Sequence, residues 1–303
     1  MNRSTFNKAV VPGLFAFMID GFKKWQSKQD WEAIVDVRTS KRAYEEAAYA
    51  GGLGLFAHKP EGEAISYDDF TQGPTQKWVH KTYSLGVKIT EEMIEDSLYP
   101  DIPTEMRSFT EELGRSAAET KAIIVWDLLN NYSNYSCADD VALFSASHKY
   151  INNSLWSNLL SPAADLSATS LQTALDGLES IKDESGRYQI IKATSLLVNP
   201  SSAWKAKELL NSTYDPESAN NAVNTLKDKN LKLIVSPYFT DTDAFCLIAT
   251  PANRMSGLIA FNRRAVTFAK DGDFDTGDSK FKGSFRFSVG AAKLDNMSLS
   301  AGA

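Results

Sequence analysis

The chain has 303 residues, enough for two ordinary domains or one large domain with extensions. With 43% hydrophobic and 23% charged residues it can bury a real core and is not disordered by composition, and its two cysteines, Cys137 and Cys246, exclude a disulfide scaffold or a zinc ribbon. A formal net charge of −6 argues against a protein coated in basic surface for gripping nucleic acid.

Residues 1–28 run against that acidic balance: Arg3, Lys8, Lys23, Lys24 and Lys28 face Asp20 alone. Phe6, Leu14, Phe15, Phe17, Phe22 and Trp25 are interleaved with them, which predicts a basic arm that packs on something rather than a free tail. The apolar run at 10–19 is interrupted by Pro12 and Gly13 and ended by Asp20, with no small-residue cleavage site after it. It is therefore not expected to be a signal peptide. No stretch reaches the roughly 18–20 apolar residues that span a bilayer, so no membrane partner is expected.

After Trp31, Ile34 and Val35, the chain enters the cluster Gly51-Gly52-Leu53-Gly54, then a polar, turn-rich stretch from His58 to Pro74. Two β-leaning runs, 64–70 and 77–89, flank Gln72-Gly73-Pro74 and predict a long protruding hairpin around that turn. Its faces are not strongly apolar, so it needs a neighbour to lie on. The strongest helix is expected at 103–132, with Asp101 and Pro103 at its start and one stripe of Met106, Phe109, Leu113, Ala117, Thr120, Ile124 and Leu128. Such a rod would be about 45 Å long.

A second helix opens at Ser167 or Thr169 and carries Leu171, Ala174, Leu175, Leu178 and Ile181 on one face. Residues 195–198 read as a buried strand, and Asn199-Pro200 caps a third helix running through Trp204 and Leu209-Leu210. Strands follow at 231–235 and 244–249, so residues 165–250 form a compact α/β module. The remainder is β-rich again, with Phe281, Phe285, Phe287 and Val289 alternating with Lys282, Arg286 and Ser288.

Chemical motifs are sparse. His58, His80 and His148 are far apart in sequence, and none has metal spacing with a cysteine. Cys137 and His148 could pair as nucleophile and base in a hydrolase, but structural roles are the stronger expectation. The acidic stretch from Asp271 to Asp278 fails the calcium-loop rule, with Thr276 at the sixth position and Lys282 at the twelfth. It reads as an acidic loop, at most a weak cation site. Gly51-Gly52-Leu53-Gly54 lacks the strand–glycine–helix context of a phosphate loop. No catalytic, cofactor-binding or metal-ligating residue is assigned, and no enzyme is expected.

The order of these parts resembles the tailed-phage major capsid protein of the Hong Kong 97 type: basic arm, protruding hairpin, long helix, α/β module, returning strands. Lys59-Pro-Glu-Gly-Glu63 through Gln72-Gly-Pro74, with Thr82-Tyr-Ser-Leu-Gly86, resembles the family's extended loop and return strand. Ile89-Thr90-Glu91, Ile94-Glu-Asp96 and Leu98-Tyr99 resemble the stretch before its long helix. Leu113-Gly-Arg-Ser-Ala-Ala118 and Leu143-Phe-Ser-Ala-Ser-His148, with the loop at 154–158 and Leu171–Ala174, are similar to the major head subunit of Mu-like prophages. The likeness covers essentially the whole chain.

That resemblance implies an α+β fold with an N-terminal arm at 1–45, an E-loop at 46–85 and a P-domain at 86–140 with its spine helix at about 103–132. An A-domain at 141–255 and returning strands of both domains at 256–303 complete it. It implies a structural protein of the virion, a bacteriophage capsid subunit assembled in the host cytoplasm into pentamers and hexamers of an icosahedral shell around double-stranded DNA held by weak, non-specific contact. Phe15, Phe22, Lys23, Lys24 and Trp25 of the arm, and Glu61, Gly73 and Trp78 of the hairpin, are the expected inter-subunit residues. A separate scaffolding protein, a portal and a decoration protein are the implied partners, with no large N-terminal cleavage. An encapsulin-like compartment shell is the alternative. A decoration protein fits less well, because such proteins are small.

Overall fold

The computed structural model describes residues 3–90, 92, 104–214, 216, 222–251, 255–272 and 277–302. The chain begins with helix α1 (Arg3–Gln26), followed by strands β1 (Asp36–Thr39), β2 (Tyr44–Ala50), β3 (Gln72–Val79) and β4 (Lys81–Ile89). The spine is α2 (Thr104–Asn130), close to its expected span. A two-residue pair, β5 (His148–Lys149) and β6 (Leu155–Trp156), leads to α3 (Ala168–Glu179), β7 (Ala193–Val198), α4 (Ala203–Asn211), β8 (Lys232–Val235) and β9 (Phe245–Ala249). The long hairpin β10 (Leu258–Gly272) and β11 (Ser279–Ala291) and the last strand, β12 (Met297–Ser300), close the fold. Among the described residues no helix is long and apolar enough to cross a membrane.

Two four-stranded sheets organise these elements. The first has the order β1-β10-β11-β4, with β1 parallel to β10 and the other pairs antiparallel. The second has the order β12-β9-β7-β8, with β7 parallel to β8 through the α4 crossover. All five residues of β9 are buried, as befits a central strand covered on both faces. Alternation along β11 buries Phe281, Phe285 and Phe287, as its sequence predicts. Their face meets α2, and one core runs from Val125, Trp126 and Leu129 through Phe285 and Phe287 to Cys246, Ile248, Met297 and Leu299 of the second sheet. A second core lies under α3 and α4.

The helices of the α/β module start where their sequence signals lie. The Ser167 hydroxyl accepts from the Ser170 backbone N–H and opens α3. The Asn199 side chain accepts from the Ser201 N–H, with Pro200 in the first turn of the short helical segment that runs into α4.

Three expectations are corrected. First, the arm is a helix of 24 residues packed on its own spine. Leu14 and Met18 are buried with Leu113, Ile89 and Phe281. The helices approach through glycine: a Cβ at Gly21 would lie 2.5 Å from the Glu111 carbonyl oxygen, and one at Gly114 would collide with the Met18 carbonyl. The spine is thus covered by α1 as well as by the sheet, and its buried face is wider and turned from the expected stripe. Thr110, Gly114, Ala118, Ala122 and Val125 are buried, whereas Phe109 is 44% exposed.

Second, the hairpin pairs β2 with β3, Tyr44 facing Val79 and Ala50 facing Gln72. Residues 64–70 form no strand, and the connection spans 51–71. Third, the run 77–89 is two strands. His80 is buried between them, its ring nitrogens 3.0 Å from the Ser40 hydroxyl and 2.9 Å from that of Ser288. This pin moves the chain from the β2–β3 ribbon into the large sheet, where β4 pairs with β11. The expected helix start at Asp101–Pro103, the motif at 94–99 and the tip of the acidic loop at 273–276 lie outside the described residues.

Candidate functional site

The most unusual surface is the connection at 51–71. Every residue from Gly52 to Thr71 is exposed, including Leu53, Leu55, Phe56, Ile65, Tyr67 and Phe70. Phe56 is as exposed as in an open chain, and Tyr67 is 89% exposed. Fully burying one such side chain is worth about 1.5–3 kcal/mol, so a loop that leaves six in water has surface to cover. Its charge is acidic: Glu61, Glu63, Asp68 and Asp69 outnumber Lys59.

The root of this loop is held firmly. The Gly51 N–H donates to the Thr71 carbonyl at 2.7 Å, and the Ser185 hydroxyl donates to the Gly52 carbonyl at 2.7 Å. Gly73 sits within β3, not in a turn. A Cβ there would lie 2.7 Å from the Tyr49 carbonyl oxygen and 2.9 Å from the Tyr49 ring, so close approach at the bulge opposite, not turn geometry, requires glycine.

Behind the root lies a buried polar hub. Lys293 Nζ is 2.6 Å from Glu184 Oε1 and 3.7 Å from Asp295 Oδ2. The rings of Tyr49, Tyr150 and Trp156 stand 5.0–5.7 Å from the same ammonium. Gln189 Nε2 donates to Asp295 at 3.0 Å, and the Ser256 hydroxyl donates to the same carboxylate. Burial raises the Asp295 carboxyl above its ordinary range despite Lys293. Burial, with Glu184 next, also pushes the Tyr49 hydroxyl up.

Cys137, Asp139 and His148 adjoin this hub, their donor atoms within 4.8 Å of one another. His148 is fully buried, stacked on Trp156 at 4.5 Å, with Nδ1 2.8 Å from Asp139 Oδ2. Burial alone would raise Asp139, but the hydrogen bond and charge of His148 and the Lys149 and Val141 amides hold it below its usual range. Burial pushes the Cys137 thiol far up, so it stays protonated, the opposite of an activated nucleophile. The Asp139–His148 pair ties the 137–141 turn to β5, a structural use of the residues that sequence could also assign to a hydrolase.

Apart from Gly73, the expected inter-subunit residues divide into three groups. Phe15, Phe22 and Trp25 are half-buried against their own chain: Phe15 meets Phe281 edge-on at 6.4 Å, Lys121 lies 5.6 Å from Phe22, and Arg115 lies 4.1 Å from Trp25. Trp78 is 3% exposed and packs on Phe261, closing the β3 end of the ribbon. Lys23 and Lys24 are exposed in the last turn of α1, where cations complement the helix dipole, and Glu61 is exposed on the loop. Leu55, Phe56, Tyr67 and Phe70, none of them among the expected residues, are the large apolar side chains that the loop exposes most. Their signal was large apolar side chains inside a polar, turn-rich stretch.

The chain belongs to the phage capsid protein family, whose model matches residues 74–296. Its fold is the Hong Kong 97-type capsid fold, seen in the capsid of cyanophage P-SCSP1u at a TM-score of 0.59 and 11% identity over 89% of this chain and 86% of that one. The capsid of bacteriophage JBD30 matches at 0.55 and 15% identity over 70% and 91%. An encapsulin complex from Synechococcus elongatus matches at 0.51 and 10% identity over 89% and 86%. Among curated proteins, none matches.

Proposed function

We propose that this phage capsid protein is the shell subunit of a tailed phage with a double-stranded DNA genome, forming pentamers and hexamers of an icosahedral head. The single observation that carries this reading is the loop at 51–71, which exposes six large apolar side chains on a rigid root and finds no cover for them among the described residues. In this reading residues 46–85 are the E-loop, which lies on a neighbouring copy. Residues 86–140 give the P-domain with α2 as spine, 141–255 the A-domain, and 256–303 strands returning to both. Repeated modest contacts of this kind close a symmetric shell. A separate scaffolding protein, a portal and a decoration protein are its expected partners, with assembly in the host cytoplasm and a structural, non-catalytic role.

Negative-stain microscopy with light scattering on the purified chain tests the reading. Icosahedral shells or rings of five and six are the expected result. A 33.4 kDa monomer that persists when the scaffolding protein is supplied would end it. The encapsulin match keeps a second reading, a shell around cargo protein, in play. Nuclease-protected DNA inside particles isolated from the native host favours the phage head, and enclosed protein favours the compartment.

A further inference from the structure

The shell reading leaves one buried cluster without a task. Cys137 and Asp139 lie in the turn at 137–141 and His148 lies in β5, and their donor atoms are within 4.8 Å of one another. Cys137 and His148 are 2% and 0% exposed, and the Asp139 side chain is 7% exposed. An ionised carboxylate accepts and cannot donate, so the proton between His148 Nδ1 and Asp139 Oδ2, 2.8 Å apart, sits on the ring. The second nitrogen, Nε2, is buried with no partner among the described residues. A buried imidazole with one nitrogen unanswered is uncommon.

The cluster is braced as metal ligands are, by outer hydrogen bonds and packing that fix each donor. The Leu294 N–H donates to the Cys137 sulfur. The Val141 and Lys149 N–H groups donate to Asp139 Oδ1 and Oδ2, each at 3.2 Å. Trp156 holds the His148 ring by stacking at 4.5 Å. The charge also fits. A thiolate and a carboxylate carry two negative charges and an imidazole none, so a dication leaves the filled cluster neutral and removes the cost of burying charge. Lys293, the cation of the adjoining hub, is already paired with Glu184 and Asp295. Thiolate and imidazole together select zinc-class ions over magnesium or calcium, which take oxygen ligands.

We propose that Cys137, Asp139 and His148 bind a zinc-class dication. The ion takes the place of the proton between His148 Nδ1 and Asp139. That proton moves to Nε2, which has no partner to lose, and the ring stays neutral. The Cys137 thiol proton leaves to solvent as the metal–sulfur bond forms. Burial keeps the free thiol protonated, and two positive charges at bonding distance reverse that preference. Metal–ligand bonds of about 2.0–2.3 Å draw the three donors closer than they stand now, and a water completes the tetrahedron. The ion is taken up as the chain folds around it. It ties the 137–141 turn to β5 beside the hub that backs the root of the 51–71 loop. This inference is independent of the shell reading, because the site lies within one chain.

The test reads the metal and its bond to sulfur. The full chain, made without a metal-binding tag, is folded with zinc present, passed over a chelating resin and analysed for metal by mass spectrometry. About one zinc per chain is expected, with a melting temperature several degrees above that of the chain folded with chelator. Folded with cobalt instead, wild type and Cys246→Ser should show the thiolate-to-cobalt charge-transfer band in the near ultraviolet, and Cys137→Ser should lack it. His148→Gln should weaken zinc binding at least about tenfold. A folded wild-type chain that takes up neither zinc nor cobalt would overturn the proposal. So would cobalt bound without the charge-transfer band, or zinc retained equally by wild type, Cys137→Ser and His148→Gln, either of which means an adventitious ion only. The wild-type band decides the matter even where a variant fails to fold.

Discussion

Helix α1 and the loop at 51–71 both carry more large apolar side chains than a free segment keeps, and the chain disposes of them differently. In α1, Leu14 and Met18 are buried on the spine, and Phe17 and Trp25 lie 4.6 and 4.1 Å from the Arg107 and Arg115 guanidiniums. Two glycines, Gly21 and Gly114, let the helices close to near contact. In the loop, the root is fixed, and among the described residues nothing covers the large apolar side chains beyond it. A segment with apolar residues therefore says only that it needs cover. Whether the cover is its own chain depends on small residues at the receiving surface.

The comparison breaks first at the spine. Leu113→Asp buries an unpaired charge beneath α1 and should cost more than about 4 kcal/mol, enough to abolish the cooperative melt seen by circular dichroism. Gly114→Val forces the two helices apart and should cost about 3 kcal/mol, lowering the melting temperature and exposing α1 to proteolysis. An unchanged melt would mean that α1 is not seated on the spine. Gly73→Ala meets the Tyr49 carbonyl and ring and should cost about 1–3 kcal/mol, read by urea denaturation.

A pH experiment sharpens the picture of the root. Asp139 is held below its ordinary value in the folded chain. Its contribution is therefore fully present above the unfolded carboxyl value of about 4 and is lost as pH falls through the lower folded value. Asp139→Asn should cost about 1–2 kcal/mol at pH 7, and the difference from wild type should shrink in acid. The smallest effect is expected in the loop. Phe56→Ser should change monomer stability by less than about 0.5 kcal/mol while reducing shell yield, whereas a large loss of monomer stability would mean that the loop packs on its own chain.

Much of the fold was legible in the sequence, and the failures share a cause. The spine, the α/β module, the Ser167 and Asn199 caps and the alternation of β11 follow from periodicities and caps that act within one element. The α1–α2 packing was not legible, because the close approach is made at two glycines, Gly21 and Gly114, and apolar counting favours large residues such as Phe109. The division of 77–89 at His80 was hidden because Ser40 and Ser288, which hold the ring, are distant in sequence. Trp78 illustrates the same limit: an aromatic residue in a hairpin suggested a contact between subunits, but Phe261 covers it from β10.

The continuous core that joins α2, the inner face of the large sheet and strands β9 and β12 has a mechanical consequence. Buried side chains run continuously from one sheet to the other there, so bending one against the other would open voids in close-packed interior, which proteins resist. The body of the chain therefore behaves as a stiff tile. Any curved surface laid from such tiles must take up its angles at the joints between copies, through the segments that project from the body rather than through flexing of the body itself.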